Sequence, residues 1–314
     1  MSDRPLRIAT RGSPLALVQA RAVRDALLAA HGEAALGGVP VLVTIKTTGD
    51  AITDRPLREF GGKGLFTREI EEALLRGEAD LAVHSAKDMP TASRHGLRLG
   101  AVLPREDARD GLISKPGWTL DSLPQGARIG TTSLRRQAQL KLRRPDLAVQ
   151  DLRGNVESRL QKLETGAFDA ILLASAGLKR LGLSPPGLVL LSIEEMLPAA
   201  GQGAIGIEIG ADDTRMDGLL QPINHAESFT RVEAERAFLA VLDGSCRSPI
   251  GGHAVLAGTT ITMRGLVLAP DGRESYGAHL TGSADQAVPI AQAVAEDIRA
   301  KAPEAFLDAY LSGE

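Results

Sequence analysis

Short apolar segments alternate with helical segments along residues 1–199, and this alternation constrains the fold more than any other feature of the chain. It opens with a strand at Leu6–Thr10, a helix that starts after Ser13-Pro14, and a strand at Val41–Thr47. Serine is a favoured helix N-cap and proline a favoured first helical residue, so the sequence itself marks where this helix begins. Repeated strand–helix–strand units predict a mostly parallel sheet with helices on both faces.

The alternation predicts two such units, and after Gln221-Pro222 the pattern changes to one helix followed by three strands. The first domain spans residues 1–103 plus about 200–220, because a strand predicted at Ala204–Ile209 returns to it. Residues 104–199 form the second domain and residues 221–314 the third. The predicted fold class is therefore α/β, with two doubly wound domains and a smaller α+β third domain.

Composition excludes several classes of protein. Apolar residues make up 43% of the chain and charged residues 24%, as in ordinary soluble globular domains. No apolar run reaches the length of a membrane-spanning helix, and the first residues lack the apolar core of a signal peptide. The single cysteine cannot form an internal disulfide, so we expect a cytoplasmic protein without a membrane partner.

The charge distribution points to a small anionic ligand. The chain is acidic overall, with a net charge of −3, yet the stretch from Arg128 to Lys162 is rich in lysine and arginine. A basic stretch within an acidic protein indicates a specific anion more than general polyanion binding. Aromatic residues are only 3% of the chain, so stacking platforms for bases are scarce and no nucleic-acid partner is expected.

Three polar loops follow predicted strands, at the edge where open α/β sheets bind ligands. They are Thr10–Ser13, Gly130–Arg136, and His84–Pro90 after the strand Asp80–His84. Helix N-termini, hydroxyls and guanidinium groups all favour bound carboxylates, and the second loop carries all three features. These loops are the predicted anion-binding sites.

The adjacent Lys87 and Asp88 allow two interpretations. They are either a routine surface pair or a cation for a substrate carboxylate beside a carboxylate for a developing positive charge. His84 is a candidate general base, although a histidine that closes an apolar strand is more often packed and hydrogen-bonded. The six histidines are scattered, and none pairs with the cysteine at ligand spacing, so no metal site is predicted.

Cys246 is the only thiol, and it also allows two interpretations. Glycine, serine and proline surround it, as on an exposed turn, and the neighbouring Arg247 favours a thiolate. It is therefore either a small buried apolar side chain or a functional nucleophile.

Eight segments, in order along the chain, resemble the porphobilinogen deaminase family, whose members are also called hydroxymethylbilane synthases. They cover residues 8 to about 255: Ala9–Ala16, Gly61–Phe66, Asp80–Pro90, Gly130–Arg136, Leu152–Val156, Ala176–Gly182, Gly201–Ala204 and Gly244–Gly251. Each segment alone is modestly specific, but eight in the family's order exclude coincidence.

The resemblance implies a fold and an activity. It implies two periplasmic-binding-protein-like domains with an active-site cleft between them, plus a third domain. It implies a dipyrromethane cofactor attached to Cys246 through a thioether. The enzyme would be a transferase of tetrapyrrole, porphyrin and haem biosynthesis. It would condense four porphobilinogen molecules, with loss of ammonia, and then release hydroxymethylbilane by hydrolysis. A cytoplasmic monomer is the family expectation.

The resemblance also implies roles for single residues. Asp88 would be catalytic, stabilising a developing pyrrole cation and passing protons. Further cofactor-binding residues beside Cys246 would be Lys87, Thr131, Ser133, Arg135 and Arg136. Substrate-binding residues would be Arg11, Ser13, Lys63, Phe66, Arg153, Arg159, Arg180 and Gln202. The segment Gly61–Phe66 would form a mobile cover that excludes water.

Two positions depart from the family pattern, and two other functions remain open. Glu59, after Arg58, stands where many relatives have lysine, and Ser245 stands where glycine is common. One alternative function is a non-catalytic, two-lobed carboxylate-binding protein, which would need neither Asp88 nor the cysteine. The other is a thiol-transfer enzyme with Cys246 as its turnover nucleophile, for which only His253 or His84 is available as a base.

Overall fold

The computed structural model describes residues 4–51, 64–244 and 248–311. These residues separate into two compact units. The first contains the described residues up to 106 together with 204–229, and the second contains residues 107–203 with the described residues from 230 onward. The predicted domain boundaries, three domains with limits near 103, 199 and 220, stay a prediction.

The first ten strands are three to six residues long, as expected for sheets built from alternating elements, and the last three are eight or nine residues long. In chain order the strands are β1 (Arg7–Arg11), β2 (Val41–Ile45), β3 (Leu81–Ser85), β4 (Leu97–Val102), β5 (Asp110–Ser114), β6 (Arg128–Gly130), β7 (Ala148–Gln150), β8 (Ala170–Ala174), β9 (Leu188–Leu190), β10 (Ile205–Gly210), β11 (Ile250–Ala257), β12 (Thr260–Leu268) and β13 (Ser275–Ser283).

Most helices lie between these strands in the sequence, and the last two follow β13. They are α1 (Pro14–Ala35), α2 (Thr48–Ala51), α3 (Arg68–Leu75), α4 (Leu134–Arg143), α5 (Val156–Glu164), α6 (Ser175–Arg180), α7 (Thr214–Leu220), α8 (Ala226–Val241), α9 (Ala287–Lys301) and α10 (Glu304–Tyr310). Among the described residues, no helix is both long and apolar enough to span a membrane.

The first unit is built on a five-stranded sheet with the order β2-β1-β3-β10-β4. β1 pairs in parallel with β2 and β3, whereas β10 runs antiparallel to both β3 and β4. Four strands therefore point the same way and β10 alone is reversed. Buried side chains from β1, β3, β10 and α1, including Ile8, Leu81, Ile207 and Leu27, form its main core.

The second unit contains a five-stranded sheet with the corresponding order, β7-β6-β8-β5-β9. β6 pairs in parallel with β7 and β8, and β5 runs antiparallel to β8 and β9. Here β5 is the single reversed strand. In both sheets the reversed strand is therefore the fourth of five.

The second unit also holds an antiparallel sheet, β11-β12-β13, which packs against α8 and α9. Phe238 from α8 is fully buried here among Met263 and Ile298. Gly252 and Gly265 leave room for its ring, because a Cβ at either position would press on Phe238. The predicted α+β character of this part of the chain is confirmed.

The structure confirms the α/β class and the return of residues 204–209 to the first sheet. It corrects one helix end: α1 continues to Ala35 instead of about Ala30, although Gly32 has φ +72° and interrupts the helical geometry. The sequence did not predict β4, because Gly100 interrupts its apolar pattern. Glycine is needed there, since a Cβ would lie 2.8 Å from Cδ1 of Ile209.

We predict that Gly265→Ala lowers the free energy of unfolding by about 1–3 kcal/mol, because the added methyl group would collide with the buried Phe238 ring. Gly277→Ala is the matched control in the same sheet, since its Cβ would approach no heavy atom closer than 3.5 Å. The control should change stability by less than about 1 kcal/mol. Denaturant unfolding followed by circular dichroism measures both, and equal stabilities would contradict this packing.

Candidate active site

A 3₁₀ turn, Ala86–Asp88, follows β3 directly and carries two of the predicted site residues. Ser85 exchanges hydrogen bonds with Gln19 of α1, at 2.9 Å and 3.1 Å. The backbone N–H of Ala86 donates to the carbonyl oxygen of Ala204 at 3.0 Å. The start of the turn is therefore held on both sides, and it presents Lys87 and Asp88 half-buried at the carboxyl end of the strand.

Arg11 ends β1 and is held by neighbours within the first unit. Its guanidinium lies 2.5 Å from Oδ1 of Asp50 and 4.1 Å from the centroid of the Phe66 ring, a cation–π distance. Burial acts to raise the pKa of Asp50, but hydrogen bonds from Arg11 and Thr47 outweigh it, so this pKa lies below its usual range. A substrate carboxylate that binds Arg11 would share its guanidinium with the carboxylate of Asp50.

Ser13 caps α1, as the sequence predicted. Its Oγ accepts a hydrogen bond from the backbone N–H of Ala16 at 3.3 Å, and Pro14 occupies the first helical position. The hydroxyl is therefore engaged in capping, and it lies at the same end of β1 as the guanidinium of Arg11. The first predicted anion loop thus combines a helix N-terminus with one arginine.

The second predicted anion loop joins β6 to α4 in the second unit. Ser133 is the N-cap of α4, and its Oγ accepts from the backbone N–H of Arg136 at 3.4 Å. Thr131 is buried, and its Oγ1 accepts from the backbone N–H of Ser133 at 3.2 Å. The two hydroxyls that the sequence placed in one loop do lie together at the helix start.

Arg135 and Arg136 both bind Asp110, a residue that the sequence analysis did not single out. Asp110 is fully buried at the start of β5, with its carboxylate oxygens 2.8 Å from Arg135 Nη2 and 2.6 Å from Arg136 Nη2. Burial raises the pKa of Asp110, but the two guanidinium charges and hydrogen bonds outweigh it and hold the pKa far below its usual range. The carboxylate stays ionised throughout the neutral range.

The two guanidinium groups are thus less accessible than predicted. Arg136 Nη1 donates to the Leu172 carbonyl at 3.0 Å, and Arg135 Nη1 donates to the Leu197 carbonyl at 2.7 Å. The adjacent arginines were predicted to meet a ligand carboxylate in bidentate fashion. In the described structure both meet Asp110 instead: Arg136 donates through Nε and Nη2 to Oδ1, and Arg135 lies in ion-pair contact with Oδ2. The signal that would have found this partner is the acidic residue that opens an otherwise apolar strand.

Gln202 belongs to the same buried cluster. Its Nε2 donates to Oδ1 of Asp110 at 2.9 Å and to the carbonyl oxygen of Ala108 at 2.7 Å. Arg180 Nη2 donates to the carbonyl oxygen of Gly203, the residue after Gln202, at 2.6 Å. Both predicted substrate-binding residues therefore contact protein backbone of the second unit.

Arg153 and Arg159 lie on either side of a glycine turn at the start of α5. Gly154 has φ +113°, and its carbonyl oxygen accepts from Arg159 Nε at 2.8 Å. Asn155 caps the helix by accepting from the backbone N–H of Ser158 at 2.9 Å. The two arginines are half-buried, and the geometry brings both to the N-terminal end of one helix, which favours anions.

Two predicted site residues, Lys63 and Cys246, lie outside the described residues, as do Arg58, Glu59 and Ser245. Their positions relative to the turn and the arginines stay predictions. Over residues 4–51, 64–244 and 248–311, no group of three or more histidine, aspartate or glutamate side chains is arranged to hold a metal ion.

Two family models match nearly the whole chain. Residues 6–218 match the model described as porphobilinogen deaminase, dipyromethane cofactor binding domain, and residues 229–300 match porphobilinogen deaminase, C-terminal domain. The porphobilinogen deaminase of Paracoccus denitrificans is 53% identical over 304 residues, which are 97% of this chain and 96% of the relative. That of Nitrobacter winogradskyi is 51% identical over 303 residues, covering 96% and 95%.

Similar solved structures are much more distant. The periplasmic aliphatic sulphonate binding protein SsuA from Escherichia coli is 17% identical, with a TM-score of 0.41 over 76% of this chain and 70% of that one. A putative methionine-binding lipoprotein from Bacillus subtilis is 14% identical, with a TM-score of 0.42 over 72% and 92%.

We predict that Asp110→Asn lowers the free energy of unfolding by about 3–5 kcal/mol at neutral pH, because two buried guanidinium groups lose their counter-charge. Asp297→Asn is the control, since it removes an exposed pair with Lys301 and should cost less than about 0.5 kcal/mol. Urea unfolding of the two variants measures both values.

The loss of unfolding free energy in Asp110→Asn should depend on pH in a defined way. The pKa of Asp110 in the folded state lies below its unfolded value of about 3.9, so its stabilisation is present above that pH. The deficit of Asp110→Asn should stay constant from about pH 8 to about pH 5 and shrink as the pH falls through 4. A deficit that grows toward acid pH would show that Asp110 is not an ionised partner of the arginines.

Proposed function

Because the chain belongs to the porphobilinogen deaminase family, we propose that Asp88 is the catalytic carboxylate of its reaction. The enzyme is a transferase that condenses four porphobilinogen molecules head to tail on a dipyrromethane primer and then releases hydroxymethylbilane by hydrolysis. In each condensation a C–N bond breaks as ammonia leaves, a C–C bond forms, and one ring proton is lost. The family favours this activity over a non-catalytic carboxylate-binding protein.

The observation that carries the proposal for Asp88 is the anchored turn at the end of β3. Loss of ammonia leaves positive charge on the pyrrole, and a fixed carboxylate stabilises such charge more than solvent does. Asp88 is half-buried beside Lys87, on a turn whose start is tied by Ser85 to α1 and by Ala86 to Ala204. A carboxylate oxygen of Asp88 also takes up the proton that is released when the new C–C bond forms.

The residues of the β6–α4 loop fit the dipyrromethane cofactor. Its pyrroles carry carboxylate side chains, and when bound it supplies the free pyrrole position to which new units are added. Arg135 Nε is buried and has no hydrogen-bond acceptor among the described residues, so a donor remains for an anion. We assign cofactor binding to Thr131, Ser133, Arg135, Arg136 and Lys87, with the covalent link at Cys246.

The growing chain gains carboxylates with every unit, so further cations are needed. We assign substrate carboxylates to Arg11, Ser13, Lys63, Arg153 and Arg159, with Phe66 holding Arg11 by its ring face. For Arg180 and Gln202 the geometry supports a positioning role, since each donates to backbone or to Asp110. Gln202 would hold Asp110, the partner of Arg135 and Arg136, and Arg180 would hold the backbone at Gly203, the residue after Gln202.

We also propose that the enzyme acts as a cytoplasmic monomer with porphobilinogen as its partner and with neither nucleic acid nor a membrane. A single cysteine that must stay reduced to bond the cofactor supports a reducing compartment. The acidic net charge and the scarcity of aromatic residues argue against nucleic acid. Light scattering of the purified holoenzyme measures the oligomeric state, and a dimer mass would contradict the monomer.

We predict that the denatured wild-type protein is heavier than its sequence by two pyrrole units and that Cys246→Ser has the unmodified mass. The reason is that a thioether survives denaturation, whereas a hydroxyl does not attach the cofactor. Intact-protein mass spectrometry measures both. An unmodified mass in fully active wild-type enzyme would exclude the covalent cofactor.

We predict that Asp88→Asn keeps the cofactor mass but loses a factor of about 10²–10⁴ in kcat, the usual size of an acid–base and electrostatic contribution. Asp25→Asn, an exposed aspartate of the same unit, is the control and should retain wild-type kinetics. Steady-state product formation is the measurement. Wild-type turnover by Asp88→Asn would remove this carboxylate from the mechanism.

A further inference from the structure

The first unit buries three titratable side chains that the proposed mechanism does not use: Glu71, His84 and Glu208, here called the buried triad. Their exposed fractions are 5%, 5% and 1%. Burying ionisable groups is costly, so such a cluster in the interior of a sheet requires a structural or functional reason. His84 is four residues before Asp88 in the sequence, on the strand that leads into the proposed catalytic turn.

The strand pairing brings the triad together. β3 and β10 run antiparallel, with Gly206 opposite His84 and Glu208 opposite Ala82. His84 and Glu208 are therefore diagonal neighbours on one face, and His84 Nε2 lies 3.2 Å from Glu208 Oε2. Glu71 reaches the same face from α3, which packs on this sheet.

The charged or titratable groups that act on Glu71 are His84 of β3, Glu208 of β10 and Arg94, which lies between β3 and β4. Burial raises the pKa of Glu71, as does the charge of Glu208, while Thr67, His84 and Arg94 act to lower it, and the net direction is upward. His84 and Glu208 form the buried ion-pair contact that joins β3 to β10.

β10 supports the catalytic turn at two further points. The carbonyl oxygen of Ala204, just before β10, accepts from the backbone N–H of Ala86. A Cβ at Gly206 would lie 2.8 Å from Sδ of Met89 and 3.7 Å from Cβ of Ala86, so this glycine lets the Met89 side chain, just after the turn, pack closely on the strand. Ala204, just before β10, and Gly206 and Glu208 on it thus meet the turn or β3 at alternate residues.

We propose that His84 and Glu208 are positioning residues for Asp88, an inference that rests on the proposed catalytic role of that residue. An apolar contact between β3 and β10 would tolerate small displacements, whereas separating a buried ion pair leaves two uncompensated polar groups and is costly. The pair fixes the end of β3 relative to β10, and it thereby fixes the position of the Ala86–Asp88 turn, which follows β3 directly. Neither side chain touches substrate in this account, so their loss should lower kcat and leave substrate binding unchanged.

The test uses purified holoenzyme whose cofactor load has been verified by intact mass. Glu208→Ala should lower kcat at least tenfold with KM within twofold of wild type. Glu208→Gln keeps the shape of the side chain and a polar oxygen at the contact with His84, and it should recover most of that loss. Val83→Ala is the control, because this buried neighbour of His84 contributes packing alone; it should lower the melting temperature but leave kcat within twofold.

The inference is overturned if Glu208→Ala keeps kcat within twofold of wild type, or if Glu208→Gln is as impaired as Glu208→Ala. Should Glu208→Ala fail to fold, His84→Gln takes its place, and a kcat of His84→Gln within twofold of wild type overturns the inference. Asp88→Asn run in parallel separates the two claims. Turnover by Asp88→Asn defeats the proposed function, whereas an inactive Asp88→Asn with a normal Glu208→Ala defeats only the positioning role.

Discussion

The antiparallel pairing of β10 with β3 is the contact on which the proposed catalytic turn depends. It joins residues more than a hundred positions apart in the sequence, and it places the carbonyl of Ala204 against the N–H of Ala86. The start of the turn that carries Asp88 is also held by the hydrogen bonds between Ser85 and Gln19 of α1. Catalysis by a fixed carboxylate needs a rigid support, and a central strand of a sheet supplies it better than a loop.

The two five-stranded sheets use their reversed strands in the same way. β10 carries the buried Glu208, which meets His84 of the first sheet, and β5 carries the buried Asp110, which meets Arg135 and Arg136 of the second. In each sheet the reversed strand is fourth in the order. Each therefore holds a carboxylate beneath a loop to which we assign chemistry or anion binding. A buried charge that lacks its partner is costly, so these pairs constrain the loops strongly.

Local sequence signals were enough to predict most elements and the loops that follow the strands. The limits of β6, β8, α4 and α5 follow directly from apolar periodicity and from caps such as Ser133 and Asn155. What the sequence could not predict were partners distant in the chain. Asp110 meets arginines 25 and 26 residues later in the sequence. Glu208 meets His84, and all five strands of the second sheet lie between these two residues in the sequence. Such pairs depend on the order of strands in a sheet, and local periodicity carries no information about that order.

We propose that Asp88 promotes the joining of pyrrole units on a primer that remains attached to the protein. The most direct measurement is the mass distribution of the denatured holoenzyme after brief mixing with a limiting amount of porphobilinogen. We expect a series of wild-type species, each heavier than the cofactor-loaded protein by a whole number of pyrrole units, and an Asp88→Asn protein that stays at the cofactor-loaded mass. A series of the same extent, formed at the same rate by Asp88→Asn, would contradict this role of Asp88.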